Sequence, residues 1–375
     1  MTAIGAQATN VRMLRGAGFA LLGASVIAVL GSGACSEETT PIEDDDGYVT
    51  TGVTGVTASG SGGAPSTGAW GAGHPGGGGA GGESTGPYPI VLAHGFFGFE
   101  EFAGADFATY FYEVREDLAD HGEALVFTPA VDPFNDSTFR GAQLAGHIEE
   151  ILSMTGKDKV VIIGHSQGGL DARVVAHDRP DLVAAVVTVA TPHGGTPVAD
   201  VALGLIGDPN VSAIVDDLVN AIGAPLYDQL GNETAVSKPM HLFSQPGIAA
   251  FNAAYPDSPG VFYASITGRT DYHLGSQVCV PDVELPFVDA LQTVEDPTDP
   301  FFLLTESLCD GNGSVPNDGL VRVADAKHGE FWGCIPGDHL DEVGHLFGDG
   351  PGFGNSFDHK AFYRELVAHV RSLGY

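Results

Sequence analysis

The segment that most restricts this chain is Lys159-Val-Val-Ile-Ile163, which runs without a break into Gly164-His-Ser-Gln-Gly168-Gly169. A short apolar run of this kind is a buried strand, and Gly168 to His177 carries a helical pattern. Strand, sharp turn and helix, with a serine in the turn, is the context in which G-x-S-x-G presents a nucleophile. The turn is strained, so residues near Ser166 must be small enough for backbones to approach. The helix points its N-terminal amides at the serine, where an oxyanion would form. A lone G-x-S-x-G occurs often by chance and is then a plain turn serine. The flanking strand and helix mark Ser166 as the nucleophile.

The same alternation extends along the chain from Tyr88. Pro89-Ile-Val-Leu-Ala93, Ala124 to Thr128, Lys159 to Ile163 and Ala184 to Ala190 read as strands. Phe107, Phe111, Val114 and Leu118 recur at helical spacing, as do Leu144, Ile148, Ile151 and Leu152. Phe362, Leu366, Val370 and Leu373 predict a closing helix. Strands separated by helices imply an α/β fold, a mostly parallel sheet covered on both faces. Residues 88–375 are read as one such domain.

The first 87 residues are of another kind. Arg12 and Arg15 precede an apolar stretch from Gly16 to Leu30, the pattern of an export signal. Ser32-Gly-Ala-Cys35 then resembles a bacterial lipobox, which predicts a signal peptide over 1–34 and acylation of Cys35. Ser32 stands where Leu is usual, and the same small residues also permit ordinary cleavage after Ala34. From Thr51 to Pro87, 15 of 37 residues are Gly. Such a segment cannot bury enough apolar surface to offset ordering entropy, so 35–87 reads as a tether. The expected location is outside the cytoplasm, anchored in the cell envelope at Cys35 or secreted. The 48 acidic and 15 basic side chains leave a formal charge of −33, which argues against nucleic acid as a partner.

A serine hydroxyl needs a base to take its proton, and in this context the partners follow in the order Ser, acid, His. His94 and His165 come too early to be that base. His193, His241, His273, His328, His339 and His345 all remain by order alone. Asp310, Asp318, Asp325 and Asp341 are all possible acids.

Four further segments narrow the choice. They are Tyr88-Pro-Ile-Val-Leu-Ala-His-Gly-Phe-Phe-Gly-Phe99, Thr191-Pro-His-Gly-Gly195, Asn317-Asp-Gly-Leu-Val321 and His339-Leu-Asp-Glu-Val343. Together with the serine turn, and in the same order over about 270 residues, they resemble the Pseudomonas and Burkholderia true lipases of the α/β-hydrolase superfamily. The resemblance implies a triad of Ser166, Asp318 and His339, with oxyanion donors at the backbone amides of Phe96 and Gln167. It also implies a structural calcium ion beside His339. Asp296, with Asp299 as runner-up, and Asp341 would supply carboxylates, and His345 and Asp349 carbonyls. Calcium prefers such oxygen ligands, whereas no C-x-x-C or H-E-x-x-H pattern supports zinc. The amphipathic stretch Val211–Leu230, with Leu218-Val-Asn-Ala-Ile-Gly-Ala224, resembles the lipase lid helix and places a lid at about 196–240. Without that resemblance it reads as an ordinary core helix. Relatives often need a folding chaperone.

The family's disulfide is absent. If Cys35 is acylated, Cys279, Cys309 and Cys334 predict one bridge of undetermined pairing. Gly329-Glu-Phe-Trp-Gly-Cys-Ile-Pro-Gly337 reads as an insert before Asp338 and His339 that departs from the family in detail, so the resemblance fixes the chemistry and not the shape of the substrate pocket. The function implied is hydrolysis of carboxylic esters, foremost triacylglycerols at an oil–water interface. An esterase or polyester depolymerase would use the same triad, and a catalytically silent binding module is the rival outside enzymology.

Overall fold

The structure, a computed structural model, describes residues 87–96, 110–204, 234–270, 279–291, 294, 302–311, 313–344 and 357–375. The export segment, Cys35, the tether, the helix expected at Val211–Leu230 and residues Asp296, Asp299, His345 and Asp349 lie outside them.

Six strands are described: β1 (Ile90–Ala93), β2 (Val126–Phe127), β3 (Val160–His165), β4 (Val183–Val189), β5 (Phe262–Arg269) and β6 (Glu330–Pro336). They form one sheet in the order β2-β1-β3-β4-β5-β6, and every neighbouring pair is parallel. Along β3 the side chains alternate between two cores. Val161 and Ile163 join one, and Val160 and Ile162 join the other. Both faces are covered, so the strand reads as an unbroken apolar run.

The first face carries helix α1 (Val114–Asp120) and the C-terminal helix His359–Ser372, through Val114, Leu118, Phe362, Leu366 and Val370. The second carries α2 (Ser137–Thr155) and α3 (Gln167–Asp178), through Leu144, Ile148, Ile151 and Val175. Burying each of these aliphatic or aromatic side chains contributes about 1.5–3 kcal/mol relative to exposure. The helices start where short polar residues can bond the free amides. Asp136 accepts from the Phe139 amide at 3.1 Å, and Asp358 from that of Ala361 at 3.1 Å. Gly156 ends α2 at φ 68°, a left-handed conformation that glycine adopts without strain.

Two expectations are corrected. The helical spacing from Phe107 does not give a helix at Phe111. The helix starts at Val114, and the buried Phe111 packs on Tyr363 just ahead of it. Gly329–Gly337 is not an inserted loop, because Glu330–Pro336 is strand β6 of the sheet, with Trp332 fully buried. The bridge joins Cys279 to Cys334 on β6, with the Cα atoms 5.4 Å apart. Cys309 is a buried thiol whose acidity burial suppresses.

Candidate active site

The turn after β3 holds Ser166 at φ 55° and ψ −127°, a region few L-residues occupy. That strain needs close support on both sides. A Cβ on Gly164 would lie 2.6 Å from the backbone of Gly168 and Gly169, and one on Gly168 would overlap the Ala93 carbonyl at the end of β1. The glycines thus let β3, α3 and β1 converge at the serine.

His339 follows β6 by three residues, and Asp318 lies in the loop before the short helix Val323–Ala326. The Ser166 hydroxyl and His339 Nε2 are 2.9 Å apart, and His339 Nδ1 is 2.8 Å from Asp318 Oδ2. The other oxygen of Asp318 accepts from the amides of Leu320 and Val321, at 2.9 and 2.6 Å. The His339 amide donates to the Asp318 carbonyl at 2.8 Å. All three residues are buried, so these hydrogen bonds are little screened by water. A carboxylate on Nδ1 fixes the tautomer that leaves Nε2 able to accept the serine proton.

Gln167 directly follows the serine, and Phe96 follows Gly95, on which a Cβ would lie 2.7 Å from that of Ser166. Gln167 is the first residue of α3, whose amide has no acceptor within the helix. Phe96 lies three residues after β1, its ring edge-on to Phe134 and Phe243. Arg140, fully buried, holds that loop. Its Nη2 donates to the carbonyls of His94 and Gly95 at 2.6 and 3.2 Å, and its Nε to Asp171 at 2.7 Å. His94 accepts from the Val131 amide at Nε2 and so donates from Nδ1 to the Gly95 carbonyl, at 3.0 and 2.9 Å. Burial, with Arg140 second, lowers His94 to a pKa of about 3, so this imidazole stays neutral.

A model of the alpha/beta hydrolase fold family matches residues 88–208. A triacylglycerol lipase of Vibrio cholerae is 33% identical over 276 residues, covering 70% of this chain and 81% of that protein. The chain belongs to the bacterial triacylglycerol lipases. Another member, from Burkholderia plantarii, is 29% identical over 289 residues, covering 70% of this chain and 80% of its own. The crystal structure of a mature Bacillus licheniformis lipase is 19% identical, covers 70% of this chain and 93% of that one, and has a TM-score of 0.46.

Among the described residues, His193, His328 and Asp310 are engaged with other partners. His193 accepts from Arg173 at Nδ1, 3.3 Å away, so its Nε2 donates to Thr188 at 3.1 Å. Its ring stacks on His328, with 4.4 Å between centroids. His328 pairs with Asp257, and His241 is exposed. His273 lies outside the described residues. Asp310 accepts from the Val315 amide at 2.9 Å. Asp325 lines a polar cavity with His193 and His328, and neither Ser166 nor His339 borders it. Asp341 is buried at the start of a single 3₁₀ turn, two residues after His339.

The sequence reading missed Arg140, Asp171, Tyr110 and Glu342. Arg140 left a trace, since it falls on the stripe of Leu144, Ile148 and Ile151, where a lone charge needs a buried partner. Glu342 sits inside His339-Leu-Asp-Glu-Val343. Burial first, then the charge of Asp318, holds its carboxyl well above the usual range.

Proposed function

We propose that this ester hydrolase cleaves triacylglycerols through an acyl-enzyme on Ser166. The observation that carries this reading is the buried relay from Ser166 through His339 to Asp318 at 2.9 and 2.8 Å. In the first half-reaction Ser166 Oγ bonds to the ester carbonyl carbon while its proton passes to His339 Nε2. The carbonyl π pair moves onto oxygen, and the amides of Phe96 and Gln167 hold the resulting oxyanion. The intermediate collapses by breaking the bond to the alcohol oxygen, which takes the proton back from His339. A water then repeats the sequence on the acyl-enzyme, releasing the fatty acid and restoring Ser166. Asp318 keeps the imidazole in its working tautomer and balances the imidazolium charge.

The family resemblance further implies calcium, and Asp341, the one implied ligand among the described residues, supports it. Asp341 is a buried hard-oxygen donor close to a second buried aspartate, Asp338, and a divalent cation would neutralise part of that charge. Asp341 would hold the ion with Asp296, His345 and Asp349, and the ion would stiffen the turn that follows His339. The N-terminal pattern supports export with acylation of Cys35. A lipase-specific chaperone and a lid at Val211–Leu230 rest on the resemblance alone.

The test is the purified catalytic domain against p-nitrophenyl esters and emulsified triolein, with an organophosphonate label. Wild type should hydrolyse triolein and lose activity on labelling, and Ser166→Ala should do neither while keeping its fold. Turnover by Ser166→Ala would overturn the mechanism. Activity confined to soluble esters would make the chain an esterase.

A further inference from the structure

Beneath the triad lies a chain of buried polar contacts that the reaction steps do not use. Glu342 is three residues beyond His339, and its Oε1 accepts from the Gly268 amide at the end of β5, 2.5 Å away. Its Oε2 lies 2.9 Å from Nε2 of His165, the residue before the nucleophile. His165 Nδ1 is 2.7 Å from the hydroxyl of Tyr110. The phenolic oxygen in turn accepts from the Gly95 amide, one residue before the oxyanion donor Phe96. One set of roles satisfies every partner: Gly95 N–H donates to the phenol, the phenol O–H to His165 Nδ1, and His165 Nε2–H to Glu342. His165 and Glu342 are fully inaccessible and Tyr110 nearly so.

The backbone is shaped to admit these contacts. A Cβ on Gly95 would overlap the Tyr110 hydroxyl, and one on Gly268 would overlap Glu342 Oε1. The His165 ring also rests against His339, with centroids 4.7 Å apart. The chain therefore touches all three parts of the active centre: the oxyanion loop, the residue before the nucleophile and the turn after the base. These parts come from segments around residues 95, 165 and 340, which share no local backbone that could fix their spacing. Acyl transfer needs them held within about 0.5 Å of the productive geometry, and a 1 Å misplacement is worth roughly a hundredfold in rate.

We infer that Tyr110, His165 and Glu342 are positioning residues that act as one unit, locking the oxyanion loop to the turn that carries His339. The inference rests on the proposed role of Ser166, Asp318 and His339. It states that the unit sets turnover and leaves substrate affinity alone, since none of the three meets the substrate.

The test is a double-mutant cycle on a soluble p-nitrophenyl ester in excess calcium, using Tyr110→Phe, Glu342→Ala and the pair. Tyr110→Phe removes one oxygen and keeps the ring in place. It should lower kcat about tenfold with KM within about twofold, and slow organophosphonate labelling to the same extent. Glu342→Ala should fall at least as far. If the three act as one unit, the double variant should be no slower than the slower single within about threefold, whereas independent effects would multiply to about a hundredfold. Should Glu342→Ala fail to fold, Glu342→Gln takes its place, since its carbonyl can still accept from Gly268. Wild-type kcat in Tyr110→Phe, or multiplicative losses in the pair, would overturn the inference. A wild-type protein that the organophosphonate does not label would instead remove the proposed mechanism, so the two failures are distinct.

Discussion

The two halves of the active centre are held by different means. Ser166 and the oxyanion loop sit on β1, β3 and α3, where support comes from close backbone packing and one buried guanidinium. Gly164 and Gly168 let the chains meet, and Arg140 bonds the loop carbonyls of His94 and Gly95. Asp318 and His339 sit beyond β5 and β6, where support comes from cross-links. They include the Cys279–Cys334 bridge, amides on the Asp318 carboxylate and the contact of Glu342 with Gly268. The first half positions a nucleophile by shape, which tolerates no added atom. The second positions a base by separate polar and covalent ties, so losing one should loosen it by degrees.

The sharpest break in that comparison is Arg140→Met. It leaves Asp171 buried without its cation, and removing one partner of a buried pair costs about 3–5 kcal/mol. Burial already raises Asp171 to a pKa of about 6 with Arg140 beside it. Without the guanidinium its carboxyl should take up a proton at still higher pH, which relieves the buried charge. The loss, read by denaturant unfolding, should therefore be smaller at pH 5 than at pH 8. An equal loss at both pH values would mean that packing, not charge, holds this half.

Next in size is the pair Cys279→Ala and Cys334→Ala. The bridge closes a separation of 55 residues, for which chain entropy predicts about 4 kcal/mol and experience about 2–4. If the second half depends on its ties, these variants should unfold earlier and retain Ser166 labelling at low temperature. Calcium comes third. If the proposed site binds the ion, stripping it should lower stability by about 2.7 kcal/mol relative to calcium at 100 times its dissociation constant. Asp341→Ala should abolish the response to chelator, and identical melting with and without chelator would remove the site.

The smallest effect near neutral pH belongs to the first half, because it grows only as the pH falls. His94 refuses a proton in the fold until about pH 3, whereas the unfolded chain takes one near the ordinary value of 6.5. Its contribution to stability is whole above that value and is lost as pH falls toward 3. The slope is about 1.4 kcal/mol per pH unit for this site. His94→Asn should flatten the acid limb of stability against pH by about that slope. His193, buried and lowered in the same sense, should leave a similar slope behind.

What could be read in the sequence was whatever local order dictates. The runs at Ile90–Ala93, Val160–His165 and Val183–Val189 are apolar because both faces of a parallel strand are buried, so no partner had to be known to recognise them. The serine turn was legible because the strand, the glycines and the helix that build it are contiguous in the chain, although Gly168 makes its room for the distant Ala93 carbonyl. Asp318 and His339 were legible only through motifs shared with relatives, since order alone left several candidates. Strands β5 and β6 escaped notice because Ser265, Thr267, Gly268, Gly333 and Pro336 interrupt their apolar runs. Those residues are tolerated because neighbours supply what they lack. Ser265 accepts from the His328 amide at 2.9 Å, and Gly268 gives Glu342 room. Tertiary structure alone decided which cysteines pair, that Arg140 faces Asp171 and the oxyanion loop, and that Tyr110 and Glu342 meet across His165. Each joins segments far apart in the chain, and a periodic pattern carries no record of which distant side chain will satisfy a buried polar group.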